Sequence, residues 1–376
     1  MAPRLKVPPL MDELVAEVLL RLPTAQPASL FRAAAVSRKW HQLVSNDDAL
    51  RRYREHHRVP PLLGFFQNTE YAGDNRPPFV PTTDCSPPFS RPNFDCDYWM
   101  ALDCRHGRVL VHTLNPLSLL VWNPITAHRD KVPLPAEEAF PYNHFAAAVL
   151  CAAEGCDHLD CGGAPFRVVF TATSSEDVEE VITWASVYSS DTGAWTVPLT
   201  IQPGAVMDSP DVMGPGLLLD DSVYFPLDLL ERRAFVVYHL AQNTLSLLEG
   251  PPIARRDMVL VAAEGNRVGV AIMDNNILQV LSRPVGQRGD WSHDKFVTLE
   301  STLLRDLGNI GIHVAGYAEA ANNVVYLSGN DGVAMLDLQS GKGKKVSNVG
   351  CFSPVLSYVT FFTHGVRAGV EANIDP

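Results

Sequence analysis

From about residue 100 onward, the sequence repeats short β-rich segments separated by Gly, Asn, Asp and Pro. Five such units follow one another at a spacing of roughly 40 to 65 residues, around the blade length of propellers. They occupy residues 105–135, 167–195, 216–248, 258–291 and 313–362. The pattern predicts an all-β domain, and a closed ring of blades leaves no long open strand edge that could pair with another chain.

The number of blades depends on where the ring closes. We predict a β-propeller of about six blades, in which residues 62–66 and 98–102, joined by the last strand, supply the sixth. The alternative is a large two-sheet β-sandwich, which would be unusual at roughly 300 residues.

A different periodicity precedes the β-rich region. Apolar residues recur at three- and four-residue spacing along one stripe, which predicts an amphipathic helix ending before Pro23. The stripe consists of Leu10, Leu14, Val15, Val18, Leu19 and Leu22. The next helices are predicted to begin at Ser29, at Ser37, and at Asn46 or Asp47, whose side chains can cap helix amino termini. About fifty residues in short helices cannot bury enough apolar surface to fold stably alone, so another surface must cover part of them.

The order of residues in this helical segment resembles the F-box. The matching residues are Pro9, Leu10, Glu13, Leu14, Val18, Leu19, Leu22, Pro23, Leu30, Ala35, Val36, Ser37, Arg38, Lys39, Trp40, Leu43 and Val44. The loop at residues 23–28 is about two residues longer than usual, and Ser37 stands where the family often has Cys. Together with the following Pro-Pro-Leu-Leu-Gly-Phe-Phe segment, the chain resembles plant-type F-box proteins with a β-propeller-like associated region.

The resemblance implies a substrate-recognition subunit of an SCF-type (Skp–cullin–F-box) E3 ubiquitin ligase, without catalytic activity of its own. The helices would bind a Skp-type adaptor, and through it cullin and RING subunits, whereas the β domain would bind a target protein. The implied adaptor-binding residues are Pro9, Leu10, Leu14, Val18, Leu19, Leu22, Pro23, Leu30, Val36 and Trp40. The alternative for these helices is a cap that packs on its own propeller.

We predict three regions along the chain. Residues 8–57 form the helical domain, residues 58–99 form a Pro-rich connector with an anchoring strand, and residues 100–376 form the β-propeller-like domain. The alternative function for this arrangement is a propeller enzyme or small-molecule sensor with a helical cap.

The charge distribution and cysteine content limit the partners and the compartment. The first 60 residues carry a net charge of +4 and the remainder −16, which argues against nucleic-acid binding by the β domain. No apolar run is long enough to span a membrane, and the amino terminus lacks the apolar core of a signal peptide. Seven cysteines without such a signal indicate free thiols in the cytosol or nucleus.

One segment contains a possible metal-ligand set. Cys151, Cys156, His158 and Cys161 offer three thiols and one imidazole, ligands that zinc prefers. All four lie within eleven residues, whereas structural zinc sites usually pair ligands from two separated segments. The sequence therefore favours a reduced loop between strands, no metal and no cofactor, with zinc as the weaker alternative.

The remaining chemistry-bearing residues have simpler interpretations. Neither a nucleophile elbow, a His-Glu-x-x-His sequence nor a phosphate loop is present, so no catalytic residue is predicted. The basic run at residues 51–58 is interpreted as a solvated helix face. Five tryptophans are expected to pack in or between blades rather than form a ligand cage: Trp99, Trp122, Trp184, Trp195 and Trp291.

Overall fold

Four amino-terminal helices precede a ring of six β-sheets in the computed structural model. The structure describes residues 11–68, 79–82, 94–135, 144–175, 181–206, 214–230, 232–253, 258–286, 289–319, 323–351 and 354–362. The helices are α1 (Asp12–Leu20), α2 (Pro27–Val36), α3 (Arg38–Ser45) and α4 (Asp47–His57).

Two of the three predicted helix caps are confirmed. The Ser37 hydroxyl accepts a hydrogen bond from the Trp40 amide at 3.1 Å, and the Asn46 side-chain oxygen accepts one from the Ala49 amide at 2.8 Å. The prediction for Ser29 is wrong, because α2 already begins at Pro27. Proline is favoured at a first helical position, where its fixed φ suits the helix and no amide partner is needed.

The helices form a small apolar core of their own. Its buried members are Val15, Leu19, Leu30, Ala33, Ala34, Val44, Leu50 and Tyr53, together with Phe361 from the end of the chain. The Tyr53 hydroxyl donates a hydrogen bond to the Leu22 carbonyl at 2.9 Å and so ties α4 to the end of α1. Burial raises the pKa of Tyr53 to about 12.

Five of the sheets are antiparallel blades formed by consecutive strands. Blade 1 contains β3 (Tyr98–Arg105), β4 (Arg108–Leu114), β5 (Ser118–Trp122) and β6 (Arg129–Val132). Blade 2 contains β7 (His144–Cys151), β8 (Phe166–Ser175), β9 (Val181–Ser189), β10 (Ala194–Trp195) and β11 (Leu199–Ile201). Blade 3 contains β12 (Leu217–Leu219), β13 (Ser222–Asp228), β14 (Arg233–His239) and β15 (Thr244–Glu249).

Two further blades follow in the same way. Blade 4 contains β16 (Val259–Ala263), β17 (Arg267–Asp274), β18 (Ile277–Pro284) and β19 (Ser292–Thr298). After the short helix α5 (Ser301–Asp306), blade 5 contains β20 (His313–Ala318), β21 (Val324–Gly329), β22 (Gly332–Asp337) and β23 (Gly343–Ser347). The inner strands are β3, β7, β12, β16 and β20 in blades 1 to 5 and β24 (Val355–Val359) in the sixth sheet, blade 6. From blade 3 through blade 6 to blades 1 and 2, the inner strands of successive blades contact each other, and β11 contacts β15 between blades 2 and 3.

Blade 6 closes the ring with strands from both ends of the propeller. It contains β24 (Val355–Val359), β1 (Leu62–Gln67) and β2 (Phe79–Pro81). Strand β1 pairs antiparallel with β24, from Leu62 opposite Val359 to Gln67 opposite Val355. The fold is therefore a six-bladed β-propeller behind amino-terminal helices, as predicted, and the chain segment after α4 is held by the last strand.

Two details of the blade assignment differ from the prediction. Residues 98–102 belong to blade 1, not blade 6, because β3 pairs with β4 along its length, starting at Tyr98 opposite Leu114. Blade 2 begins with β7, which precedes the unit recognised from sequence. The run from Ala146 to Leu150 is buried at every position, so it lacks the alternation that identifies a half-exposed strand.

The tryptophans pack in the blades as predicted. Trp99, Trp122 and Trp184 are buried in the apolar clusters of blades 1, 2 and 6. Trp195 donates its indole N–H to the Pro133 carbonyl at 2.8 Å, and Trp291 donates to the Glu249 carbonyl at 2.9 Å. Each of these two hydrogen bonds joins the outer part of one blade to its predecessor. Among the described residues, no helix has the length and apolar character needed to cross a membrane.

Candidate functional site

Helix α1 has an apolar face that the rest of the described chain does not cover. Met11, Leu14 and Val18 lie on one side of the helix and are 64, 47 and 58 % exposed. We call these three residues the α1 stripe. Val36, at the end of α2, is another exposed apolar residue, at 62 %. Contiguous exposed apolar surface of this kind marks a surface that binds a partner.

The opposite face of α1 holds the helices together. Val15 and Leu19 are buried in the helical core, as is Leu30 from α2. Of the other residues implied as adaptor-binding, Leu22 and Trp40 are half-buried and Pro23 is exposed. Pro9 and Leu10 lie outside the described residues. The structure thus divides the implied set into side chains exposed to solvent and side chains that stabilise the helices.

The helices contact the propeller through α2 and α4. The ring of Phe31 lies 5.1 Å from that of Phe362, and the ring of Tyr53 lies 6.4 Å from that of Phe361. The Arg54 guanidinium forms a salt bridge of 2.8 Å with Asp160, in the loop between β7 and β8. Leu159 of that loop packs against the helical core. The helices therefore do pack on the propeller, yet this contact leaves the α1 stripe exposed.

Charged residues flank the stripe and join α1 to the other helices. Lys39 reaches Asp12 at 2.6 Å, and Glu17 pairs with Arg21 at 2.9 Å and with Arg52 at 3.7 Å. All these side chains are substantially exposed, so each pair contributes little to the free energy of unfolding. They border the apolar stripe with charge of both signs, the arrangement of a docking surface with a polar rim.

A buried charge cluster connects the inner strands of alternate blades. Arg105 of blade 1 lies 3.5 Å from Asp103 and 3.3 Å from Glu319, which follows the inner strand of blade 5. Its guanidinium also donates a hydrogen bond to the carbonyl of Gly216, directly before the inner strand of blade 3. Because blades 1, 3 and 5 are not neighbours, Arg105 spans the space that the inner strands enclose.

Asp103 is anchored in the same cluster by a further hydrogen bond. One of its carboxylate oxygens accepts from the Val149 amide of blade 2 at 2.8 Å. Burial raises the pKa of Asp103 and the positive charge of Arg105 opposes that rise. This cluster was not predicted from the sequence, because Arg105 and Glu319 are more than 200 positions apart and neither belongs to a local motif. Its arrangement is that of a structural clamp between blades.

The four predicted metal-ligand candidates come together in the loop between β7 and β8. One ligand atom from each of Cys151, Cys156, His158 and Cys161 lies within 4.8 Å of the other three. The sulfur atoms of Cys156 and Cys161 are 3.7 Å apart, and Nδ1 of His158 is 3.6 Å from the Cys161 sulfur. The closeness of the four residues in sequence, which argued against a metal site, does not prevent them from converging, because the loop turns between them.

The thiols in this loop differ in their acidity. The pKa of Cys151 is lowered: burial opposes ionisation, but hydrogen bonds from the Ala153 amide and the neighbouring thiols outweigh it. The pKa of Cys161 is raised, first by burial and then by the charge of Cys151. Among these two thiols, the surroundings therefore favour ionisation of Cys151 over ionisation of Cys161.

Comparison with protein families identifies the helical segment. The F-box domain model matches residues 10–52, which include α1, α2, α3 and the first half of α4. No curated protein matched the sequence.

Similar solved structures are distant. A chain of the nidogen/laminin complex has 12 % identity and a TM-score of 0.42, covering 78 % of this chain and 97 % of that one. A structural genomics protein of unknown function from Bacteroides thetaiotaomicron has 13 % identity and a TM-score of 0.37, covering 67 % and 58 %. Citrobacter koseri AztD has 11 % identity and a TM-score of 0.36, covering 75 % and 77 %. Similarity this low supports no conclusion about function.

The family match and the architecture agree on one assignment. The matched residues contain the helices that present the α1 stripe, and the ring of six blades follows directly after them. The chain therefore contains an F-box domain at residues 10–52, followed by a six-bladed β-propeller.

Proposed function

We propose that this protein is the substrate-recognition subunit of an SCF-type E3 ubiquitin ligase. The F-box binds a Skp-type adaptor, which connects it to cullin and RING subunits, and the propeller binds the protein to be ubiquitinated and degraded. The observation that carries the proposal is the exposed α1 stripe within the matched F-box. The free thiols and the F-box are both typical of a protein of the cytosol or nucleus.

The exposed and buried apolar side chains of the helices have different roles in this proposal. Met11, Leu14, Val18 and Val36 contact the adaptor directly, because their side chains are exposed in the free chain. Full burial of each such side chain contributes about 1.5–3 kcal/mol, so four together are sufficient to hold an amphipathic helix in an apolar groove. Leu19 and Leu30 act indirectly by fixing α1 against α2.

The propeller contributes position rather than chemistry. A rigid ring that contacts the F-box through Phe361, Phe362 and the β7–β8 loop holds a bound target at a defined place relative to the adaptor. Holding a target lysine near the charged conjugating enzyme raises its effective concentration, which is how a non-catalytic subunit accelerates transfer. The protein itself then needs no catalytic residue.

Co-expression with a Skp-type adaptor tests the proposal. We expect the wild-type chain to co-elute with the adaptor at equal stoichiometry in size-exclusion chromatography. Leu14→Asp places a carboxylate in the apolar contact, and the cost of burying it unpaired should weaken binding by at least about a hundredfold. Leu22→Asp should have the same effect on binding, with an added cost to the helices because Leu22 is half-buried.

Val197→Asp is the matched control. Val197 is 85 % exposed in blade 2, so the same chemical change there should leave adaptor binding and the thermal unfolding temperature unchanged. A wild-type chain that elutes alone as a folded monomer would contradict the proposal. Equal loss of binding in Leu14→Asp and Val197→Asp would show that the α1 stripe is not the contact.

A further inference from the structure

We propose that Cys151, Cys156, His158 and Cys161 bind one structural Zn²⁺ ion, which fixes the β7–β8 loop where it meets the F-box. The proposal concerns the loop between the first two strands of blade 2 and is independent of adaptor binding. Three thiolates and one imidazole form one of the common structural zinc ligand sets.

Two of the distances in the loop match tetrahedral zinc coordination, and the four ligand atoms all lie within 4.8 Å of one another. With Zn–S of about 2.3 Å and Zn–N of about 2.0–2.1 Å, a tetrahedron places two sulfur ligands about 3.8 Å apart and a sulfur and a nitrogen about 3.5 Å apart. The observed separations are 3.7 Å between the Cys156 and Cys161 sulfurs and 3.6 Å between the Cys161 sulfur and His158 Nδ1. A disulfide would require about 2.05 Å between sulfurs, so the pair is reduced and spaced for a shared ion.

Backbone turns in the loop create this geometry from ligands close in sequence. Gly155 and His158 both have left-handed backbone conformations, with φ of 65° and 58°. Such values are uncommon for a residue other than glycine, and at His158 the turn directs the imidazole to the Cys161 sulfur. A hydrogen bond of 2.9 Å from the Ala152 amide to the Pro165 carbonyl closes the base of the loop.

Neighbouring side chains support the ligands. The buried guanidinium of Arg108 donates hydrogen bonds to the Cys161 carbonyl at 2.5 Å and to the Ala164 carbonyl. Its positive charge offsets the single negative charge that three thiolates and one neutral imidazole leave on a bound Zn²⁺. The ring of His106 stacks on that of His158 at 4.2 Å and restricts its orientation. Partners that orient the ligands in this way are a regular feature of metal sites.

The residues between the ligands connect the loop to the F-box. Leu159 and Asp160 lie between His158 and Cys161 in sequence. Leu159 packs against the helical core, and Asp160 forms the 2.8 Å salt bridge with Arg54 of α4. A zinc ion bound by His158 and Cys161, which flank Leu159 and Asp160 in sequence, therefore fixes the loop where it contacts the helices. Its removal is expected to loosen the contact between α4 and the propeller.

Metal analysis of the purified full-length chain tests the site. Inductively coupled plasma mass spectrometry of protein purified without chelators should give about one zinc per chain. His158→Ala and Cys161→Ser should each reduce zinc affinity by at least about tenfold, because each removes one of four ligands. Cobalt added to metal-free protein should give the visible absorption of a tetrahedral thiolate complex.

Cys96→Ser is the matched control, because Cys96 is half-buried and lies outside the cluster. It should retain one zinc per chain. Wild-type protein that contains no zinc and does not compete with a chromophoric chelator for added Zn²⁺ would overturn the proposal, as would stoichiometric iron in place of zinc. His158 is exposed, so His158→Ala tests the site even if a cysteine variant fails to fold.

Amide hydrogen exchange gives a second measurement that does not depend on metal content. Removing zinc from the wild-type chain should increase exchange in residues 152–165 and in α4, and re-adding zinc should reverse the increase. Arg54→Ala should increase exchange in α4 while keeping one zinc per chain, because Arg54 contacts the loop but is not a ligand. Exchange in both segments that is unaffected by zinc would contradict the structural role.

Discussion

The F-box and the propeller differ in how completely they bury their apolar side chains. In the propeller, successive residues such as Val109, Leu110 and Val111 are fully buried between adjacent blades, and the exposed apolar residues Val197 and Phe296 lie on separate strands or loops. In the F-box, the exposed residues Met11, Leu14 and Val18 follow one face of α1, and exposed Val36 lies at the end of α2. A closed ring buries most of its apolar side chains between its own blades, whereas the small helical domain leaves part of its apolar surface exposed for a partner.

The two regions also differ in how they depend on each other. The ring closes by pairing β1 with β24, which completes the sixth of its six separate sheets. The helices include Phe361, from beyond β24, in their core and receive Leu159 from blade 2. The F-box is therefore completed by the propeller on one side and, in the proposed complex, by the adaptor on the other.

The largest expected effect on stability comes from the charge cluster inside the ring. Arg105→Ala leaves the buried carboxylate of Asp103 without its counter-charge, which should lower the free energy of unfolding by about 3–5 kcal/mol. Arg232→Ala removes an exposed pair with Glu249 and should cost less than about 1 kcal/mol. Urea denaturation of both variants measures the difference. Equal stability of the two would show that Arg105 does not clamp the blades.

A pair of identical substitutions on α1 separates its two faces. Leu19→Ala creates a cavity in the helical core and should destabilise the F-box helices by about 2–5 kcal/mol. Leu14→Ala, on the exposed face, should change that free energy by less than about 0.5 kcal/mol and should instead weaken adaptor binding. Hydrogen exchange in α1 through α4 and adaptor titrations measure the two effects. If Leu14→Ala destabilises the helices as much as Leu19→Ala does, the two faces of α1 do not have different roles.

A smaller effect is expected from acidification of the propeller. Burial lowers the pKa of His112 in β4 to about 4, below the value of about 6.5 in an unfolded chain. The folded state thus favours the neutral ring, so its stabilising contribution is complete above pH ~6.5 and is lost as the pH falls toward 4. By pH 5 the loss should reach about 2 kcal/mol. In His112→Gln, the free energy of unfolding should change less between pH 7 and 5 than in the wild type. The same pH dependence in both proteins would show that His112 is not its source.

Local chemistry explains which parts of this structure the sequence predicts. The caps at Ser37 and Asn46 depend on a side chain and an amide three residues away, so they follow from neighbouring residues. The α1 stripe follows from helical periodicity, although periodicity alone does not separate exposed Leu14 from buried Leu19. That separation depends on which face α2, α3 and α4 cover, and so on tertiary packing.

The features that sequence analysis missed depend on distant or conformational information. Strand β7 is buried on both sides and has no alternating pattern. Arg105 meets Glu319 only because the ring closes. The four ligand candidates of the β7–β8 loop are visible in sequence, but their convergence depends on left-handed turns at Gly155 and His158 that ligand spacing does not reveal.

In the proposed complex, the exposed face of α1 is the adaptor-binding surface. The most direct measurement is amide hydrogen exchange of the full-length chain, alone and with a Skp-type adaptor. Protection on binding should be concentrated in α1 and the end of α2, where Leu14, Val18 and Val36 are exposed, with exchange in the blades unchanged. Protection in propeller loops while α1 exchanges as in the free chain would contradict this assignment.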